Sequence, residues 1–145
     1  MEVKLEHLTG KWSLEREIFD HQNQRKSRMT GSASFSPTRI SQTLFYREEL
    51  SHQVDGVGNF SAWKQYLYQI RDRILSIYFD PDEAKKGASP ELFVKLPIDN
   101  PQGIHWCGDD EYRVKIIELT PNLIQMEIRV LGSRKNYSAV TCLTK

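Results

Sequence analysis

The chain has 145 residues, of which 39% are hydrophobic and 10% aromatic, which is enough apolar side chain for one domain with a buried core. Its 20 Lys and Arg residues and 19 Asp and Glu residues give a formal charge of +1, without the basic excess typical of nucleic-acid-binding proteins. No apolar run approaches the ~20 residues of a membrane span, and "MEVKLEHLTG" lacks the apolar core of a secretory signal. We therefore expect a soluble, cytoplasmic protein that binds neither nucleic acid nor membrane.

Short segments rich in aromatic and β-branched residues follow one another along the chain, separated by turn sequences such as "DHQNQRK" and "SPTRIS". No long segment has a helical pattern, so successive strands are expected to pair as an antiparallel meander that closes into a barrel and removes its edges. The prediction is a single all-β domain over residues 1–145, an antiparallel up-and-down β-barrel of about 8–10 strands. The predicted strands cover residues 10–19, 28–36, 42–51, 59–70, 73–80, 91–96, 111–118, 123–131 and 136–144.

The first four predicted strands each place mostly apolar residues on one face, together with a few charged and phenolic side chains. These polar residues are Arg16, Glu48, Lys64, Tyr46, Tyr66 and Tyr68. A barrel of about eight strands can hold one small ligand, whereas buried charges without partners are costly. Three interpretations stay open: an internal Arg16–Glu48 salt bridge with tyrosine hydroxyls, a set of groups awaiting a polar ligand head, or an outward register for these side chains.

The segment "GIHWCGDDEYRVKI" concentrates His105, Cys107, Asp109, Asp110 and Tyr112. His105 and Cys107 could ligate a metal with an aspartate, but three ligands from one local run are not a strong zinc signature. A Cys107 nucleophile activated by His105 is also conceivable. We favour a bend that enters a strand, with a glycine relieving the backbone and Tyr112 opening the inward face, and we predict no metal and no cofactor.

The segment "VLGSRKNYSAV" predicts the hairpin between the last two strands, with Gly132 free to take a positive φ. Its cations could bind an anionic ligand or lie in solvent, but we favour an ion pair between this hairpin and a carboxylate such as Asp110. Cys107 and Cys142 are expected to be reduced thiols, because an intracellular protein with two cysteines has no disulfide framework. Cys142 is predicted to be a small buried hydrophobe in the last strand.

Five segments resemble, in order, a family of uncharacterised lipocalin-like proteins known only as a domain of unknown function. They are "LTGKWSLEREIFD", "FYREEL", "QYLYQ", "GIHWCGDDEYRVKI" and "VLGSRKNYSAVTCL". The hallmarks are a Gly-x-Trp opening with a following arginine, a His-x-Cys-x-x-Asp-x-Tyr segment and a late Gly-Pro-Arg-Lys-Asp-Tyr signature. They map onto Gly10, Trp12 and Arg16; Tyr46 and Glu48; His105, Cys107, Asp110 and Tyr112; and Gly132, Arg134, Lys135 and Tyr137. The resemblance implies a lipocalin-like (calycin-like) barrel but does not imply any particular activity.

The chain departs from this family pattern at three positions. It has Ser133 where the family prefers proline and Asn136 where it prefers aspartate, which removes a rigid turn residue and a charge. Val94 stands where family members often carry a histidine, so a function that needs that imidazole is not expected here.

The favoured function is binding of a small hydrophobic or amphipathic molecule whose polar or carboxylate head meets groups inside the barrel. The candidate ligand-binding residues are Arg16, Tyr46, Glu48, Tyr66, Tyr68, His105, Tyr112, Lys135 and Tyr137. An alternative is a cofactor-independent isomerase, cyclase or hydrolase that uses His105, Glu48, Asp110 or a tyrosine for proton transfer. A third is a structural or interaction domain with a self-satisfied polar interior. No glycine-rich phosphate loop, dinucleotide fingerprint or serine elbow strengthens the enzyme case.

Overall fold

The structure, a computed structural model, describes residues 3–54, 56–79 and 90–145. The described residues form ten β-strands, which confirms the predicted all-β barrel class. A short 3₁₀ helix, Leu5–Leu8, precedes the strands. The strands are β1 (Gly10–Asp20), β2 (Arg25–Pro37), β3 (Thr43–Val54), β4 (Gly58–Arg71), β5 (Ile74–Phe79), β6 (Leu92–Pro97), β7 (Gln102–Cys107), β8 (Asp110–Leu119), β9 (Leu123–Leu131) and β10 (Asn136–Thr144).

All ten strands belong to one antiparallel sheet with the order β6-β5-β4-β3-β2-β1-β10-β9-β8-β7. Pairing of β1 with β10 joins the two ends of the chain, so β6 and β7 are the two edges of the sheet. These edges come close together: a Cβ on Gly103 would lie 2.6 Å from the carbonyl oxygen of Lys95. The sheet is therefore a nearly closed barrel, and a glycine permits the close approach of its edges.

Strand β7 corrects the prediction that this part of the chain belongs to a bend. Ile104 and Trp106 of β7 point outward and are 51% and 58% exposed, whereas His105 and Cys107 line the barrel interior. In β7 the apolar residues face outward and the polar residues face inward, which is the reverse of the usual pattern. The sequence pattern therefore did not indicate a strand here. The turn that follows is as expected, because Gly108 has a φ of +61° and joins β7 directly to β8.

One end of the barrel is filled by a packed core. The 3₁₀ helix places Leu8 against Trp12, whose indole Nε1 donates a hydrogen bond of 2.8 Å to the Leu8 carbonyl oxygen. The ring of Phe35 contacts Trp12 edge to face, with ring centroids 6.3 Å apart. Leu14 and Leu96 of this packed end are also buried, so this half of the molecule holds much of its buried apolar surface.

The predicted hairpin between the last two strands is confirmed, since β9 ends at Leu131 and β10 begins at Asn136. The positive φ predicted for Gly132 is wrong. A Cβ at Gly132 would instead overlap the Asp110 carboxylate, so the close approach of this side chain explains the glycine. The prediction for Cys142 is also wrong: it lies on the outward face of β10 and is only partly buried.

No helix among the described residues is both long and apolar enough to cross a membrane.

Candidate ligand-binding cavity

A cavity of ≈ 470 Å³ occupies the half of the barrel beyond the packed end. Eight of the nine predicted site residues line it: Arg16, Tyr46, Glu48, Tyr66, Tyr68, His105, Tyr112 and Tyr137. Their side chains point inward as the alternation predicted, because successive residues of a strand face opposite sides of the sheet. Lys135, the ninth, lies outside the lining and contacts the cavity residue Tyr112.

The polar wall of the cavity consists of Arg16, Glu48, Lys64 and Thr141, at mid-height on β1, β3, β4 and β10. Arg16 donates from Nη1 to Glu48 Oε2 at 2.8 Å and from Nη2 to Glu48 Oε1 at 2.9 Å. Its Nε donates to Thr141 Oγ1 at 2.6 Å, and the Tyr46 hydroxyl donates to Glu48 Oε1 at 2.8 Å. The predicted internal salt bridge is therefore present, and it is bidentate.

Burial disfavours ionisation of Arg16 and Glu48, but their hydrogen bonds and opposite charges outweigh it. The pKa of Glu48 consequently lies below its ordinary value, and the pKa of Arg16 lies above its own. Both groups are charged at neutral pH. Each guanidinium nitrogen that faces the wall already has an acceptor, so the pair is satisfied by its protein neighbours alone.

The hydroxyls of Tyr66 and Tyr68 differ from that of Tyr46, because neither makes a hydrogen bond with any residue that the structure describes. No described side chain has a polar atom that is both fully enclosed and without a partner, so these two hydroxyls open onto the cavity. Burial is the main cause of the raised pKa of both phenols, and it raises the pKa of Tyr66 to about 12. Both therefore remain protonated donors at neutral pH.

Lys64 lies on β4 directly opposite Glu48 in the ladder and faces the cavity. Its ammonium group forms no hydrogen bond or close ion pair with the part of the chain that the structure describes. Burial and the nearby Arg16 charge lower the pKa of Lys64, and the Glu48 charge partly opposes this effect. Lys64 as a whole is exposed to solvent.

The aromatic wall, contributed by β4–β8, comprises Tyr66, Phe79, Phe93, His105 and Tyr112. Phe79 and Phe93 have ring centroids 4.8 Å apart, and His105 contacts them at 5.4 and 5.2 Å. Tyr66 stacks on Phe93 with an interplanar angle of 29°. Five rings thus form one continuous aromatic surface that begins on β4, beside the polar wall.

The ion pair predicted between the last hairpin and the central segment is present at the rim of the barrel. Lys135 Nζ lies 3.2 Å from Asp110 Oδ2 and donates to the Tyr112 hydroxyl at 3.0 Å. Hydrogen bonds to Tyr112 and Asp110 raise the pKa of Lys135. Lys135 therefore positions Tyr112 from outside the cavity, and its ammonium is already engaged.

Phe79, Phe93, Met29 and Met126 line the cavity but were not among the predicted site residues. The alternation in β5 and β9 could have indicated Phe79 and Met126, because both lie on the inward side of their strands. Phe93 follows a register irregularity between Ile77 and Tyr78, which the sequence pattern does not reveal.

The groups considered for metal binding or catalysis lie apart or already have protein partners. Among the described residues no cluster of three or more His, Cys, Asp or Glu side chains could hold a metal ion. His105 is packed among aromatic rings, and Cys107 is an exposed free thiol. Glu48 accepts hydrogen bonds from Arg16 and Tyr46, and Asp110 forms an ion pair with Lys135.

Comparison with solved structures agrees with this architecture. An S-type phycobiliprotein lyase CPES from Guillardia theta superposes with a TM-score of 0.66 at 9% identity, over 97% of this chain and 89% of the other. EF1p2_mFAP2b bound to DFHBI superposes with a TM-score of 0.50 at 10% identity, over 98% of this chain and 96% of the other. At these identities the likeness shows the fold alone.

The ten-stranded sheet and its internal cavity define a lipocalin-like antiparallel barrel. The chain belongs to the family of unknown function DUF6314, whose model matches residues 8–145. No curated protein matches the sequence.

Proposed function

We propose that this protein binds one small, partly apolar molecule inside the barrel, with a polar head at the polar wall and its apolar part against the aromatic wall. The volume of ≈ 470 Å³ falls within the range of small-molecule sites. Predominantly apolar walls with a few polar groups are the usual composition of such sites.

The observation that carries the proposal is the contrast among three neighbouring tyrosines. Tyr46 donates to Glu48, whereas the hydroxyls of Tyr66 and Tyr68 reach the cavity without a partner among the described residues. A purely structural interior would pair these donors, because an unsatisfied buried donor costs roughly 1–3 kcal/mol. The hydroxyls are thus available to a ligand acceptor or to solvent that a ligand displaces.

The structural neighbours give general support. One is described as a phycobiliprotein lyase and another as bound to DFHBI, and both share the barrel architecture. They do not specify the ligand of this protein.

Titration with Nile red, a neutral dye that fluoresces in apolar surroundings, tests the proposal. Wild-type protein is expected to bind one dye per chain with enhanced fluorescence. Ala139→Trp should abolish this binding, because Ala139 lines the cavity and the indole would fill it. The matched control is Val140→Trp, since Val140 is the next residue of β10 and faces outward.

Unchanged binding by a folded Ala139→Trp variant would contradict the proposal, as would failure of the wild type to bind the dye. If Ala139→Trp unfolds, Ile128→Phe adds a smaller ring from β9, where Ile128 pairs with Ala139, and serves the same purpose. Circular dichroism establishes whether each variant is folded.

A further inference from the structure

The charged residues of the cavity do not balance. Its lining contains three residues of the types Lys, Arg, Asp and Glu, namely Arg16, Glu48 and Lys64. Together they carry two positive charges and one negative charge. Arg16 and Glu48 neutralise each other through two parallel hydrogen bonds. One positive charge on Lys64 is left facing the cavity, which favours an anionic occupant.

Arg16 uses three of its five N–H donors in contacts with protein neighbours. Its Nε is held by Thr141 and its two terminal nitrogens by the two oxygens of Glu48. Both oxygens of Glu48 are thereby occupied, and one of them also accepts from Tyr46. The pair therefore acts as a fixed part of the wall, whereas Lys64 is a cation of the lining with no hydrogen-bond acceptor among the described residues.

Lys64 is placed differently from Arg16 although it is opposite the same carboxylate. It lies two residues from Tyr66 on the same inward face of β4, and Tyr68 follows at the next inward position. The ammonium of Lys64 and the hydroxyls of Tyr66 and Tyr68 are donors with no hydrogen-bond partner among the described residues. Because successive inward residues of a strand are about 6.6 Å apart, these three donors can meet separate acceptors along one ligand, with the ammonium of Lys64 suited to a negatively charged one.

The shape of the remaining lining selects the rest of the ligand. The aromatic wall begins at Tyr66 and continues through Phe93 and His105 to Tyr112, with successive ring contacts of 6.3, 5.2 and 5.8 Å. Tyr66 and Phe93 lie within 29° of each other, whereas His105 is tilted by 62° from Phe93 and by 67° from Tyr112. A planar, conjugated molecule can therefore pack face to face with some of these rings and face to edge with others, and it loses little conformational entropy on binding. A flexible alkyl chain gains less from ring faces and loses more rotational freedom.

From these observations, and resting on the proposed function, we infer that the ligand is a planar conjugated anion. Its acidic group contacts Lys64, its other acceptor atoms contact the hydroxyls of Tyr66 and Tyr68, and its flat apolar part lies against the aromatic wall. Lys64 is then the residue that determines selectivity for the acid, whereas Arg16 positions Glu48 and sets the geometry of the polar wall.

The test compares two fluorescent compounds of the same shape, pyrenecarboxylic acid and its neutral amide, at neutral pH. Wild-type protein is expected to bind the acid at least about tenfold more tightly than the amide, as one charge-assisted contact would give. Lys64→Met should weaken binding of the acid about tenfold and leave the amide unchanged. Lys11→Met is the matched control, because Lys11 lies on an exposed outward position of β1, and it should change neither affinity.

Equal affinity of the wild type for acid and amide would overturn the inference, as would an equal loss for both compounds in Lys64→Met. Hexadecanoic acid serves as a flexible anion, and tighter binding of it than of the pyrene acid would overturn the requirement for a planar ligand. If Lys64→Met is not folded, Lys64→Gln removes the same charge. Nile red binding that Ala139→Trp blocks, without preference for the acid, would refute this inference while leaving the proposed function intact.

Discussion

The two halves of the barrel use the same strands for different purposes. At the packed end, β1 contributes Trp12 and Leu14 to a filled core, and the only polar atom of Trp12 is bonded to the Leu8 carbonyl oxygen. Two inward positions further along, the same strand carries Arg16 into a cavity. Strand β4 shows the same change from Ile70 at the packed end to Lys64.

This difference separates stability from binding within one sheet. A solid barrel needs only apolar residues at every inward position, as the packed end shows. The hollow half instead combines a satisfied ion pair with donors that lack protein partners, at a cost in core packing. We infer that the packed end holds the fold together and thereby allows the other half to keep a polar cavity.

The sharpest way to test this division is truncation at the packed end. Trp12→Ala is expected to lower the free energy of unfolding by about 3 to 5 kcal/mol, because it leaves a void in a filled core. Met126→Ala in the lining of the cavity is the control and should cost roughly half as much, since its side chain already borders empty space. Urea unfolding measures both, and equal losses would contradict the division.

The next largest effect is expected inside the polar wall. Arg16→Met leaves the Glu48 carboxylate, which is only 2% exposed, without its bidentate partner. We expect a loss of roughly 2 to 4 kcal/mol, below the usual cost of breaking a buried pair because the adjacent cavity admits water. The double variant Arg16→Met, Glu48→Leu should recover most of the lost free energy of unfolding, as measured by urea unfolding. A single variant as stable as the wild type would show that the pair does not support the fold.

Two matched tyrosine variants sharpen the comparison within the cavity itself. Tyr46→Phe removes a 2.8 Å hydrogen bond to a carboxylate and should cost about 1.5 to 3 kcal/mol. Tyr68→Phe removes a hydroxyl without a described partner and should leave the free energy of unfolding within about 0.5 kcal/mol of the wild type. Equal losses for both variants would indicate that the Tyr68 hydroxyl is also a structural donor.

The smallest expected effect is a change in acid sensitivity. The pKa of Glu48 is lowered in the folded protein, so its contribution to stability is complete above its ordinary value of 4.5 and is lost as pH falls through the lowered pKa. Glu48→Gln should therefore show a shallower decline of unfolding free energy with falling pH in this acid range. A decline as steep as that of the wild type would contradict the lowered pKa.

Much of the fold was predictable because the alternation of inward and outward residues is clear in the first four strands. It correctly placed Arg16, Glu48, Tyr46, Tyr66 and Tyr68 on the inner face. Strand β7 could not be recognised in the same way, because Ile104 and Trp106 face outward and His105 faces inward. In that strand the apolar residues lie outside, so the polarity of its residues indicated a bend and not a strand.

The limits of the site prediction have similar physical causes. The sequence shows that Arg16 and Lys64 share the interior, but only the geometry shows that one is paired and the other is not. Lys135 forms the ion pair with Asp110 that the sequence favoured, but its second contact, with the Tyr112 hydroxyl from outside the cavity, was not predicted. Such pairings depend on register and strand twist, which local patterns do not specify.

Methyl nuclear magnetic resonance provides the most direct measurement of whether the cavity binds a ligand. The methyl groups of Met29 and Met126 line the cavity, whereas that of Ile104 lies on the outer surface. Titration with pyrenecarboxylic acid should shift the two methionine signals to saturation, with nuclear Overhauser effects between ligand and methionine protons, and leave the Ile104 signal unchanged. Shifts confined to Ile104 and other outer residues, with the methionine signals unmoved, would contradict ligand binding inside the barrel.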